Sequence, residues 1–272
     1  MRLVTFQHPH GQPQVGIVSG SQVLPVLGDM LSVCAAGHAE AEAAPPIELA
    51  DVTLLAPIPR PPKFICVGLN YRDHAAEAKM EIPQVPTIFN KFTNVVIGPG
   101  ATIVLPRVSA KPDYEAELAF VIGRGGRYIP AARAMEHVFG YTIVNDVSAR
   151  DFQMATTQWL MGKTFDTFAP MGPWIVTKDE ISDPHALDIS IEIGGVVLQK
   201  SNTREMIFRI PQLIEYISQV VTLEPGDVVA TGTPAGVGFA WKPPRWLRPG
   251  DETIVRIEAI GELRNPVAAE GP

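Results

Sequence analysis

The stretch DYEAELAFVIG, residues 113–123, decides how the rest of the chain is read. Tyr114, Ala116, Leu118, Phe120 and Ile122 recur at every second position, the period of a β-strand. That alternation puts Glu115 and Glu117 together on the other face, about 7 Å apart along the backbone. Adjacent carboxylates repel, and burying either without a partner is costly. A solvated strand face accounts for the pair. A cation held between the two acids accounts for it as well, and the other motifs bear on the choice.

Of the 272 residues, 46% are apolar and 19% charged, enough for one large domain or a large and a small one. The net charge is -7 and no Lys/Arg run occurs, which argues against a nucleic-acid groove or electrostatic membrane docking. Cys34 and Cys66 form no C-x-x-C, so neither a disulfide framework nor a thiolate zinc site is expected. The opening MRLVTFQHPHGQP has no apolar signal core, and no long apolar run follows. A cytoplasmic protein is expected.

Residues 1–55 read as a small N-terminal domain, with strands in RLVTF and QVGIVSGSQVLPV and a helix in MLSVCAAGHAEAEAA. Pro57, Pro59, Pro61 and Pro62 exclude a helix or central strand, giving a stiff linker over 56–63. Residues 64–272 then read as a second, larger domain. KFICVGLNY, PTIFNKF and FGYTIVND read as strands. DHAAEAKM reads as a helix starting near Asp73, and PAARAMEHV and PQLIEYISQVV as further helices. LEPGDVV and LRPGDET repeat a Pro-Gly pair suited to a type II turn. Many short strands and few helices predict a β-rich α+β fold, a barrel or sandwich.

Asp146 ends FGYTIVND, where a strand stops and the chain turns away. With Glu115 and Glu117 it makes an all-oxygen set suited to Mg²⁺ or Mn²⁺, and Ca²⁺ has the same donor preference. Capping of the following turn explains Asp146 alone. His74 and Glu77 are three apart on a helix, so the carboxylate can orient the imidazole as a base; a surface ion pair has the same spacing. Arg150 and Gln153 suit a carboxylate and a carbonyl beside the metal, although Asp151 also offers Arg150 a local partner. Lys163 lies among apolar residues, which favours an anion-stabilising role over a pairing with Asp166. TGTPAGVG, residues 231–238, offers backbone N–H groups and two threonine hydroxyls that could cradle a carboxylate.

VGLNYRDHAAE, DYEAELAFVIG, NDVSARDFQ, GKTFDTFAPMGPWIV, TGTPAGVG and LRPGDETIVRIEAIGELRNPV, in this order over about residues 60–268, together resemble the fumarylacetoacetate hydrolase family. The resemblance implies a mixed β-roll or sandwich domain behind a small N-terminal domain, usually assembled as a homodimer. It implies metal ligands at Glu115, Glu117 and Asp146, a dyad at His74 and Glu77, and a catalytic Lys163. Substrate contacts fall on Arg150, Gln153, Thr167 and Thr233. The expected activity is Mg/Mn-dependent hydrolysis of a C–C bond in a 2,4-dioxo acid of acylpyruvate, fumarylpyruvate or fumarylacetoacetate type, through an enolate. The alternatives are decarboxylation of an oxaloacetate-type acid, or isomerisation or hydration of a 2-oxo-dienedioate in aromatic or sugar-acid catabolism. A non-catalytic, metal-stabilised binding module is a further one.

Overall fold

The computed structural model describes residues 1–9 and 11–271. The N-terminal part holds β1 (Arg2–Gln7), β2 (Gln14–Ser19), β3 (Gln22–Val26), α1 (Met30–Ala36), β4 (Ile47–Glu48) and β5 (Thr53–Leu55). Next come β6 (Phe64–Gly68), α2 (Arg72–Ala78), β7 (Thr87–Asn90), β8 (Val96–Ile97), β9 (Ile103–Leu105), β10 (Pro112–Asp113), β11 (Ala116–Ile122) and β12 (Val138–Asn145). They are followed by β13 (Ser148–Ala149), α3 (Arg150–Gln153), α4 (Leu160–Lys163), β14 (Ala169–Thr177), β15 (Asp188–Ile193) and β16 (Val196–Asn202). The chain closes with α5 (Ile210–Val220), β17 (Val228–Ala230), β18 (Glu252–Ile257) and β19 (Gly261–Ala269).

One sheet runs β4-β3-β2-β1-β14-β12-β11-β17-β6-β7, with β5 beside β1 and β8 beside β14. A second runs β16-β15-β18-β19-β9. The pairs β6–β17, β8–β14 and β9–β19 are parallel, so the sheets are mixed. β15 lies against β11, β18 against β12 and β19 against β14, which makes a two-layer, β-rich α+β fold. Every residue of β11 and β12 is consequently buried. This excludes the solvated face as an explanation of Glu115 and Glu117. Each large apolar side chain closed in this way, Phe120 and Ile143 among them, stabilises the fold by roughly 1.5–3 kcal/mol.

Both Pro-Gly turns have the expected form. Gly226 and Gly250 take φ of 86° and 91°, which a type II turn demands at its third residue. In each, the following aspartate accepts the N–H three residues back: Glu224 to Asp227 and Arg248 to Asp251, both at 2.8 Å.

Three helix expectations need correction. The helix in 30–44 stops at Ala36, because Gly37 turns left-handed at φ 75° and its N–H caps Val33 and Cys34. Residues 131–136 form a 3₁₀ turn, which suits the Arg133–Glu136 pair three apart and packs Ala134 inward. The α2 cap position is Tyr71, and Asp73 lies inside the first turn, accepting from the Ser201 hydroxyl. Among the described residues no helix is long and apolar enough to cross a membrane.

Candidate metal centre and active site

The β11–β12 register builds the acidic group. Ala116 faces Asn145 across the antiparallel pair, and the Asp146 N–H donates to the Glu115 carbonyl at 2.9 Å. The three acids are thereby brought to one point: an oxygen from each of Glu115, Glu117 and Asp146 lies within 4.8 Å of the others, and all three residues are buried.

Lys163 arrives from α4. A Cβ on Gly162 would stand 2.3 Å from the Gln153 backbone nitrogen, so only glycine lets α4 press onto α3 at this point. The Lys163 ammonium then donates to Glu115 Oε2 at 2.7 Å and Asp146 Oδ2 at 2.8 Å. Asp166 is not its partner; that carboxylate accepts from Asn94. Arg150, at the start of α3, donates from Nε to Asp113 at 2.8 Å and from a terminal nitrogen to Gln153 Oε1 at 2.8 Å. Its other terminal nitrogen lies 2.6 Å from Glu115. The local Asp151 partner is excluded as well, because Asp151 accepts from Ser109 and Ala110.

These pairings set the charges. Burial opposes ionisation of Glu115, but Arg150 and Lys163 outweigh it and hold the carboxyl at about 2. Glu117 goes the other way: burial pushes it well above the usual range, and Asp146 and Glu115 push in the same sense. Burial also opposes the Lys163 charge, yet Asp146 and Glu115 raise its affinity for the proton above normal. Among the described residues, Glu117 has no lysine or arginine within ion-pair reach and accepts only the Gly232 N–H, at 2.9 Å. Around the site, Asp113, Glu115 and Asp146 are each paired with Lys91, Arg150 or Lys163, and Glu117 is the one buried acid left without a cation. An all-oxygen triad short of positive charge fits a hard divalent cation, and the absence of nitrogen or sulfur donors in it disfavours zinc.

After β6, Leu69 takes a left-handed φ of 46° and the chain enters α2. His74 points inward beside the triad, edge-on to Phe239. Its Nδ1 stands 3.4 Å from Glu77, while both Glu77 oxygens take the Gly236 N–H, at 2.9 and 3.0 Å. The His–Glu pair therefore exists, but the acid is held more firmly by the 231–238 loop.

The backbone N–H groups of that loop hold carboxylates of the chain itself: Gly232 donates to Glu117, Gly236 to Glu77 and Gly238 to Asp113. Thr231 and Thr233 donate their hydroxyls to the Leu118 and Ala116 carbonyls, docking the loop on β11. Thr233 still lines the cavity, and it accepts from Gln199. Thr167 lies elsewhere. It faces a separate cavity with Val104, Pro106 and Glu270, and its Oγ1 accepts the Val104 N–H at 2.8 Å. That bond helps to hold a φ of 69°, which a β-branched residue rarely adopts. His74, Glu115, Glu117, Arg150, Gln153, Lys163 and Thr233 share one narrow cavity of about 80 Å³. Asp146 closes the triad behind it.

Sequence reasoning missed Lys91, Asp113 and Gln199. Lys91 carried the signal used for Lys163, a lone lysine among apolar residues in IFNKF. Asp113 and Gln199 carried no local signal.

Residues 63–268 match the family model described as fumarylacetoacetate (FAA) hydrolase C-terminal, and residues 1–57 match one described as Rv2993c-like, N-terminal. The chain is 46% identical to a Bos taurus protein named oxaloacetate tautomerase FAHD2A, mitochondrial, covering 98% of this chain and 91% of that one. Its fold matches the crystal structure of 5-carboxymethyl-2-hydroxymuconate delta-isomerase from Mycobacterium smegmatis with a TM-score of 0.86 and 40% identity, over 99% of this chain and 100% of that one. A fumarylacetoacetate hydrolase from Exiguobacterium antarcticum matches with a TM-score of 0.89 and 36% identity, over 99% and 100% of the two chains. Motif order, the two-layer fold and these relatives agree, and the chain belongs to the fumarylacetoacetate hydrolase family.

Proposed function

We propose that the chain is a metal-dependent tautomerase or isomerase of 2-oxo acids, moving a proton at the carbon beside the 2-oxo group, with oxaloacetate-type acids as its substrate class. The observation that carries this reading is His74, the single histidine at the cavity among the described residues, set against an anion-stabilising floor. Proton transfer needs one group that takes and returns a proton. Hydrolysis needs that group to activate water as well, and the contact to Glu77 that would orient it is long, at 3.4 Å. The names of the Bos taurus and Mycobacterium smegmatis relatives support the same choice over hydrolysis.

Glu115, Glu117 and Asp146 would hold the cation. When bound, it would polarise the 2-oxo group and offset the charge of the enolate. Lys163 is placed to share that charge, having spent two of its three donors on Glu115 and Asp146. Gln153, whose amide nitrogen is uncommitted while its oxygen takes Arg150, would fix a substrate carbonyl or carboxylate. His74 would take the proton from the carbon next to the 2-oxo group and return it. Trp159, Phe89 and Phe239 line the cavity and would limit the entry of water.

A hydrolase of 2,4-dioxo acids is the second reading, favoured by the His74–Glu77 contact and the name of the Exiguobacterium relative. Decarboxylation would use the same floor without attacking water. The test follows enol-to-keto conversion of oxaloacetate and C3 hydrogen exchange in D₂O, with Mg²⁺ or Mn²⁺, and identifies products from acetylpyruvate and fumarylpyruvate. Accelerated exchange without C–C cleavage supports the tautomerase; rapid release of pyruvate with a second acid sinks it. A metal-raised melting temperature with no oxo acid turned over would indicate the binding module. The cytoplasm and a homodimer complete the reading. Both cysteines are free and buried, as in a reducing compartment. Exposed Ile88, Phe92 and Val220 form the kind of apolar patch a second subunit covers, which light scattering in solution would test.

A further inference from the structure

The cavity reverses the usual distribution of polarity. Its charged lining residues, Glu115, Glu117, Arg150 and Lys163, are buried at the bottom. Its mouth carries large apolar side chains: Met80 and Met154 are 54% and 67% exposed, beside the half-buried Trp159 and Phe239. Among the described residues, Arg150 and Lys163 are the only lysine or arginine side chains lining it, and both are already paired with acids.

We infer that this mouth selects for the far end of the substrate: 2-oxo acids whose tail beyond C4 is an uncharged alkyl or aryl group are preferred, and those with a carboxylate there are disfavoured. The inference rests on the proposed 2-oxo acid site and deepens it. A short diacid keeps its second carboxylate near the polar floor, where the Gln153 amide nitrogen is uncommitted. A carboxylate three carbons further out meets only thioethers and aromatic rings, whose faces are electron-rich, and would surrender hydration with no cation in return. An apolar tail would instead cover Met80 and Met154, and flexible methionines adapt to tails of different shape. Met154, at the end of α3, and Met80, just after α2, are the specificity-determining residues in this account.

The test measures binding and does not depend on turnover. N-butyl oxamate and N-(3-carboxypropyl) oxamate are inert analogues of a 2-oxo acid with the two kinds of tail. Each is titrated by calorimetry into the full chain with Mn²⁺, and into Met154→Lys, an exposed substitution that leaves the core untouched. The butyl compound is expected to bind at least about tenfold more tightly to the wild type. Met154→Lys is expected to narrow that ratio by strengthening binding of the carboxylate. Equal affinities, a preference for the carboxylate, or an unchanged ratio in Met154→Lys overturns the inference and leaves the proposed function standing. Failure of both oxamates to bind removes the oxo-acid site itself, and the inference with it.

Discussion

Lys91 Nζ stands 2.7 Å from Asp146 Oδ1, and neither side chain is reached by solvent. Its other donors go to the Val147 and Phe168 carbonyls at 3.0 and 2.7 Å. All three of its N–H bonds are spent, so Lys91 ties the end of β7 to the turn after β12 and the residue before β14. Lys91→Met would leave part of the Asp146 charge uncompensated. The expected loss is about 3–5 kcal/mol in urea denaturation. Adding Asp146→Asn to that background is expected to recover part of it. A loss under about 1 kcal/mol would mean that the ammonium does not hold this junction.

Glu115 and Glu117 are neighbours whose acidities move in opposite directions, so their effects on stability have opposite signs. The Glu115 contribution is full above the ordinary carboxylate range and fades as pH falls toward about 2. Glu117 is raised, so its contribution is full at acid pH and is lost as pH rises through its elevated titration point. Melting curves in chelator should therefore show Glu117→Gln losing less stability than the wild type toward alkaline pH. Superimposable profiles would contradict the account.

Occupation of the triad requires Glu117 to ionise, so Mn²⁺ binding should release a proton where Glu117 is neutral. Calorimetry in two buffers of different ionisation enthalpy measures that release. The Glu115→Gln/Glu117→Gln variant should show neither the release nor a metal-dependent rise in melting temperature. Full turnover by that variant in chelator would defeat the metal assignment.

His74→Ala removes the one imidazole that lines the cavity among the described residues. It should fold and bind Mn²⁺ as the wild type does, while kcat falls about 10²–10⁴-fold. An unchanged kcat would take His74 out of the reaction.

Thr167→Ala should leave KM unchanged, because Thr167 faces another cavity. It should cost about 1 kcal/mol in thermal or urea melts through loss of the acceptor for the Val104 N–H. A raised KM with unaltered stability would restore Thr167 to the substrate site.

The features readable from sequence were those governed by local geometry. Strand alternation identified β11, and the i, i+2 spacing set Glu115 and Glu117 on one side. The end of FGYTIVND marked Asp146, and the Pro-Gly pairs marked their turns. Partner choice was not readable. Arg150 passes over Asp151 for Asp113 and Glu115, and Lys163 passes over Asp166 for Glu115 and Asp146. In each case the partner is brought in by sheet register from far along the chain, and sequence proximity says nothing about it. The burial of both faces of β11 likewise depends on a second sheet made mostly of later strands.

β1 runs antiparallel along β14, with Arg2 opposite Val176 and Leu3 opposite Ile175. β14 begins six residues after Lys163 and supports β12 on its other side. The first strand of the chain is therefore a selvedge to the catalytic sheet. A truncation that kept only the region beyond the prolines would bare the backbone groups of β14 around Ile175 and Val176, an invitation to intermolecular strand pairing. Any exchange of the N-terminal segment for another must supply a strand of matching register at this border, or the truncated protein will aggregate.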